Sequence, residues 1–207
     1  MKQTIISRFL AVALMMTTGN LAANAGWTDN LSPYDLNAPL GWATVDGNVT
    51  GGEGGTKVTV TNKTELMNAL KGTDKKIIYV DGEIEFSGLT NVKSVQNKTI
   101  IGMKGAAFVN SKHSASVSET GIMQLSSCKN IILRNIIFKS AGAYDIDGND
   151  NLTIIGSTYI WVDHCDFQDG VDGNFDCVNG SDNICVTWCR FRYLIAPWAG
   201  GSGGSND

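Results

Sequence analysis

The chain has 207 residues, 43% hydrophobic and 17% charged, which supplies the apolar material for one domain with a real core and excludes a disordered chain. Twenty acidic residues outweigh sixteen basic ones with no basic stripe, which excludes nucleic acid as an expected partner. Twenty-four glycines against three prolines suit many tight turns between short strands.

The N-terminus reads as an export signal. Lys2 and Arg8 precede a short apolar core, Phe9 to Met16, and Ala23-Asn24-Ala25 forms a small-x-small cleavage site. Residues 1–25 are therefore expected to be removed, leaving a mature domain over residues 26–207, secreted or periplasmic. The apolar run is far below the ~20 residues needed to span a bilayer, and no later segment is long enough either. Without Lys2 and Arg8 the net charge moves from −4 to −6, so an acidic polysaccharide would be repelled unless a cation bridges the two. Export permits disulfides, but the five cysteines (Cys128, Cys165, Cys177, Cys185 and Cys189) are odd in number and contain no C-x-x-C pair. A zinc or redox site has little support, and Cys165 and Cys189 are expected to fill a core.

Residues 26–60 are glycine-rich and polar, with Thr50-Gly-Gly-Glu-Gly-Gly55 followed by a strand over Lys57 to Val60. The glycine run lacks a Gly-Lys-Ser/Thr ending and opens no helix, so it is not a phosphate loop. One helix is predicted over Lys63 to Lys71, with Asn62 and Glu65 as a capping box, Leu66, Ala69 and Leu70 as its apolar face, and Gly72 as its stop. From Lys76 the pattern is strands only. Ile77 to Val80 leads through the Asp81-Gly82 turn to Glu83-Ile-Glu-Phe86, and Lys98 to Ile101 ends at Gly102.

Three copies of one strand-like phrase then follow. They are Asn130 to Phe138, Tyr159 to Phe167 and Asn183 to Phe191. Ile131, Ile160 and Ile184 correspond, as do Ile136, Cys165 and Cys189, and each copy closes on Phe138, Phe167 or Phe191. Matched strands at irregular spacings of 20–50 residues signal a solenoid whose coils share one core. The predicted fold is an all-β parallel β-helix, its N-terminal end capped by the helix near Asn62. A sandwich would need hairpins and no matched phrase. The glycine-serine tail, Ala199 to Asp207, offers no cap for the far end, so the chain is expected to be a fragment that stops within the domain.

The acidic loop between the last two copies holds Asp166, Asp169, Asp172 and Asp176, which together are expected to offer a cluster of hard oxygen ligands. Asp172 and Asp176 stand four apart with Gly173 and Asn174 between them, and Asp150 ends a second acidic loop one coil earlier. Close carboxylates repel one another without a cation, and calcium takes 6–8 oxygen ligands. The same residues would also serve as turn formers. Asp145-x-Asp147-x-Asn149 fails as an EF-hand loop, because its sixth position is Asp150 and its twelfth Gly156. A carboxylate pair could equally be the acid and base of a glycosidase. His164, between Asp163 and Cys165, is expected to be a structural histidine, and His113 to be solvated. Trp161, Trp188 and Trp198 are read as packing residues that could also stack on sugars.

Trp161-Val-Asp-His-Cys165, the Asp172-x-x-x-Asp176 pair and Gly180-Ser-Asp-Asn-Ile-Cys-Val-Thr-Trp188 resemble the central motif of the pectate lyases, polysaccharide lyase family one. Thr50-Gly-Gly52 with Glu53-Gly-Gly55, Asn97 to Gly102 and Asn130 to Phe138 extend the likeness over most of the mature chain. The resemblance implies a right-handed parallel β-helix, secretion, a monomer, and calcium-dependent β-elimination of polygalacturonate (pectin). Its calcium carboxylates fall on Asp150, Asp172 and Asp176. Two departures stand out. The stretch Tyr193 to Trp198 lacks the family's substrate-binding lysine, and the proton-abstracting arginine would lie beyond Asp207. Arg190 and Arg192 belong to the repeat and are not given that role, so the catalytic base is unassigned and little activity is expected of this chain. The rival functions are a calcium-independent pectin lyase and a non-catalytic β-helix that binds carbohydrate as an adhesin or binding module.

Overall fold

A computed structural model describes residues 38–47, 49–114, 116–143 and 148–197. The expected signal peptide, the acidic residues Asp145 and Asp147, Trp198 and the glycine-serine tail lie outside them. The chain opens with β1 (Thr56–Val60) and α1 (Lys63–Leu70). Two coils follow, β2 (Lys76–Val80), β3 (Glu83–Glu85) and β4 (Thr90–Lys93), then β5 (Gln96–Gly102), β6 (Ala107–Val109) and β7 (Met123–Ser126). The next two are β8 (Lys129–Arg134), β9 (Ile137–Lys139) and β10 (Leu152–Ile155), then β11 (Thr158–Asp163), β12 (Asp166–Gln168) and β13 (Phe175–Val178). β14 (Asp182–Thr187) and β15 (Arg190–Arg192) begin a further turn.

The strands form three parallel sheets, ordered β1-β2-β5-β8-β11-β14, β13-β10-β7-β4 and β15-β12-β9-β6-β3. Each coil gives one strand to each sheet, which is the parallel β-helix the repeat predicts. No hairpin forms at Asp81-Gly82. The chain turns a corner there, with β2 pairing β5 and β3 pairing β6.

The repeat phrase is stacked in register: Ile131 faces Ile160, which faces Ile184, and Phe138 faces Phe167, which faces Phe191. It is not one strand, however. Each copy is two strands around a corner residue in the left-handed region, namely Asn135 (φ 62°), His164 (φ 52°) and Trp188 (φ 53°). A second corner series runs through Ser127, Gly156 and Asn179 at φ 52–54°. These single left-handed residues bend the coil with almost no loop.

Inside, Ile78, Ile100, Leu133, Ile154, Val162 and their neighbours are fully buried in one contiguous core. An aromatic ladder runs through it. Ring centroids lie 5.3 Å apart from Phe86 to Phe108 and from Phe108 to Phe138, 4.8 Å to Phe167 and 5.1 Å on to Phe191. Cys165 is buried and Cys189 half-buried against the same core, as expected of core-filling cysteines, and all five cysteines are free thiols. The α1 helix lays Leu66 and Leu70 onto the first coil. Its cap differs from the expected box in one arm. Asn62 Oδ1 accepts from Glu65 N at 3.0 Å, but Glu65 Oε2 reaches back to Thr61 N at 2.9 Å, one residue further out.

The N-terminal segment lies along the outside of the six-stranded sheet. Ala43 and Val49 cover Ile132 and Trp161 in a second small core. Trp42 Nε1 donates to Asp182 Oδ1 at 2.8 Å beside β14. At its other end Gly52 passes so close to β2 that a Cβ there would stand 1.9 Å from the Lys76 carbonyl oxygen. The glycine run is thus a close-approach strip whose amides are engaged. Thr50 N and Gly51 N donate to Asn130 Oδ1 at 2.7 and 2.8 Å, and Gly52 N donates to Thr99 Oγ1 at 2.9 Å, which fits the rejection of a phosphate loop.

Candidate functional site

The acidic residues before β13 have separate fates. Asp166 begins β12, and its carboxylate is buried under two arginines of the next coil: Arg190 Nη2 donates to Oδ2 at 2.8 Å and Arg192 Nε to Oδ1 at 3.0 Å. Asp169, also buried, accepts from the backbone of Leu194 and Ile195 at 2.6 and 3.0 Å and pins the segment after β15. These two are coil-to-coil staples, so the expectation that all four aspartates form one ligand cluster is corrected. Arg190 and Arg192, committed to Asp166, have a structural duty.

Asp150, Asp172 and Asp176 behave differently. They lie at the same edge of the four-stranded sheet, where consecutive coils enter β10 and β13. Thr153 pairs with Asp176 in the β10–β13 register. Thr153 Oγ1 donates to Asp150 Oδ2 at 3.0 Å, and Asp176 Oδ1 accepts from Cys177 N at 2.9 Å. Burial pushes the Asp150 carboxyl up from its ordinary range, and the negative charges of Asp172 and Asp176 push it further, against the pull of the Thr153 hydrogen bond. Gly173 makes room for this arrangement, since a Cβ there would stand 2.4 Å from Asp150 Oδ1.

Tyr193 closes one side. Its hydroxyl donates to the Asp172 carbonyl at 3.5 Å, and burial, then the charges of Asp150, Asp172 and Asp169, raise its phenol. The sequence reading missed Tyr193 and Thr153. Tyr193 stands two residues past the repeat phrase and carries no motif, and Thr153, the register partner of Asp176, lies in a strand that the phrase does not cover.

This mutual repulsion is what a hard divalent cation would relieve, and the donor set, all carboxylate, suits calcium. Among the described residues, no three His, Cys, Asp or Glu side chains already stand in a closed metal-holding arrangement. The carboxylates act on one another across an open edge.

The remaining candidates fall elsewhere. His164 is a corner residue whose Nδ1 lies 2.7 Å from Asp163 Oδ2, in a network where Arg134 Nε sits 2.8 Å from the same oxygen and Thr187 Oγ1 donates to Asp163 Oδ1 at 2.6 Å. That is the structural histidine expected, although it occupies a bend and not a strand. His113 is exposed. Trp161 is buried with Nε1 donating to Thr187 Oγ1 at 2.8 Å, while Trp188 is 46% exposed. No helix among the described residues is long and apolar enough to cross a membrane.

Comparison with known proteins agrees with the fold and motifs. A family model described as pectate lyase matches residues 12–190. A pectate trisaccharide-lyase of Thermotoga maritima is 33% identical over 167 residues, covering 74% of this chain and 42% of that protein. Pectate lyase plyB of Emericella nidulans is 32% identical over 177 residues, covering 82% and 48%. The chain thus spans about half the length of these relatives. Among solved structures, a mutant Bacillus subtilis pectate lyase superposes with a TM-score of 0.55 at 22% identity, covering 70% of this chain and 56% of that one. The cedar-pollen allergen Jun a 1 gives 0.55 at 19%, covering 72% and 47%. These neighbours are right-handed parallel β-helices, the fold described above. The stacked repeat, the motifs and these relatives together place the chain in the pectate lyase family.

Proposed function

We propose that this chain is the calcium-binding portion of an exported pectate lyase that cleaves polygalacturonate by β-elimination. One observation carries the reading: at one sheet edge, burial and then the charges of Asp172 and Asp176 from the next coil raise the proton affinity of Asp150. These three would hold the cation. When bound, calcium supplies the positive charge that holds uronate carboxylates against an acidic protein and acidifies the neighbouring proton. The chain's own residues prepare the edge for it. Thr153 fixes one Asp150 oxygen, Gly173 leaves space beside the other, and Tyr193 walls the flank. The retained carboxylates favour a calcium-dependent pectate lyase over a calcium-independent pectin lyase. The proton-abstracting base is not assigned to any residue here.

The test follows the ultraviolet absorbance of the unsaturated uronate product on polygalacturonate, with calcium and with EDTA. It is run on this chain and on a form extended with the later coils of a family member. The extended form should give product with calcium and none in EDTA, and Asp176→Asn should abolish it. Product that persists in EDTA would sink the calcium reading. Binding of the polymer without any product in either form would instead leave a non-catalytic binding module.

A further inference from the structure

The edge where the chain enters the six-stranded sheet carries a feature that the carboxylate site does not use. Asn97, Asn130, Tyr159 and Asn183 occupy equivalent places in β5, β8, β11 and β14, all in the left-handed region at φ 54°, 59°, 57° and 52°. Asparagine adopts this conformation readily, but a bulky aromatic does so only under strain. The asparagines use it to link coils, with Asn130 Nδ2 donating to Asn97 Oδ1 at 2.8 Å. Tyr159 breaks that ladder. Its ring packs at the rim of the outer core, and its hydroxyl donates to the Asp46 carbonyl at 3.3 Å. Packing accounts for the ring. It does not account for what stands around it.

The strained residue walls a cleft of about 290 Å³, bounded by the N-terminal segment at Asp46 and Gly47 and by Gln96 and Lys129 over the asparagine floor. That volume is near the lower end of the ~300–1,000 Å³ range of ligand clefts. Lys129 is held with its ammonium 5.4 Å from the Tyr159 ring centroid. Among the described residues the Lys129 ammonium has no ion-pair partner, and neither the side-chain amide of Gln96, whose backbone N–H donates to the Gly72 carbonyl, nor the Asp46 carboxylate makes a hydrogen bond. The cleft therefore presents a positioned cation, a neutral amide and a hydroxyl-accepting carboxylate. Strain of this kind collects at binding sites.

We infer that this cleft is an accessory uronate-binding site, in which Lys129 takes the sugar carboxylate, Gln96 a ring or hydroxyl oxygen and Asp46 a hydroxyl proton. The inference rests on the pectic substrate proposed above. Its binding needs no calcium. Asp150 and Tyr159 are nine residues apart in sequence, with β10 and the Gly156 corner between them, so the two places lie on adjoining faces of the same coil.

The test is calorimetric titration of the 207-residue chain with trigalacturonate, in EDTA and in calcium. Binding in EDTA is expected, with no response to the neutral trimer galactotriose. Lys129→Met should weaken it roughly tenfold, the loss of one charge-assisted contact, and Gln96→Ala by less. Circular dichroism should show both variants folded, and Asp176→Asn should leave the EDTA-resistant binding intact. No binding in EDTA with binding restored by calcium would overturn the accessory site while leaving the proposed function standing. Silence under both conditions would overturn both. Binding in EDTA that neither variant alters would also overturn the assignment to this cleft.

Discussion

The raised carboxyl of Asp150 has a sign that can be worked out. Its folded-state pKa lies above the unfolded one, through burial first and through Asp172 and Asp176 next, so the folded chain holds this proton more tightly. Stability then falls as pH rises from the ordinary carboxylate range through the raised value, and the loss persists at neutral pH. Asp150→Asn should accordingly raise the Tm in EDTA at pH 7 and flatten that part of the pH profile, while abolishing the rise that calcium gives the unsubstituted chain. A lower Tm in EDTA for the variant would contradict this account. Spacing and family likeness singled out Asp150, Asp172 and Asp176 in the sequence, and the structure sets Asp150 within the electrostatic influence of the other two. The misreading of Asp166 and Asp169 has a physical cause. A row of acids three apart does not reveal which are buried, and their partners, Arg190, Arg192 and the Leu194 and Ile195 amides, arrive one coil later.

Among the elements, stacking decides the energetics. Phe167 lies between Phe138 and Phe191, with Phe175 edge-on at 5.5 Å, and is fully buried, whereas Phe191 is 50% exposed. Phe167→Ala should cost about 3–5 kcal/mol in urea titrations and Phe191→Ala about 1 kcal/mol, because only the first leaves a cavity. Equal losses would show that the ladder is not packed as described. The β12–β15 junction depends on charge instead. Asp166→Ala strands two arginines, which are themselves about a third exposed, and should cost about 2 kcal/mol, less than a fully buried pair would. Adding Arg190→Met and Arg192→Met to it should recover part of that loss. The strands were legible because the Ile and Phe phrase repeats in register. The corners inside the phrase were not. Asn135 and, less strongly, His164 are residue types that enter the left-handed bend, but Trp188 at the equivalent place does not announce one, so the three do not read as a series.

For the molecule as a whole, the coil order followed from the repeat, because each coil needs its neighbour to bury the shared face. The path of the N-terminal segment was not legible. It joins Trp42 to Asp182, 140 residues apart, through contacts with no period to read. That path changes how the solenoid should yield to force. Coils bound only to neighbours would peel from one end in small successive steps. Here one strip runs from the Gly52 crossing on β2 to Trp42 beside β14, with Asn183 Nδ2 donating to the Trp42 and Val45 carbonyls, and so clasps the first coil to the last described one. Pulled in optical tweezers, the chain should hold and then give way in one large extension. Trp42→Ala, which opens the clasp, should turn that single rip into a staircase.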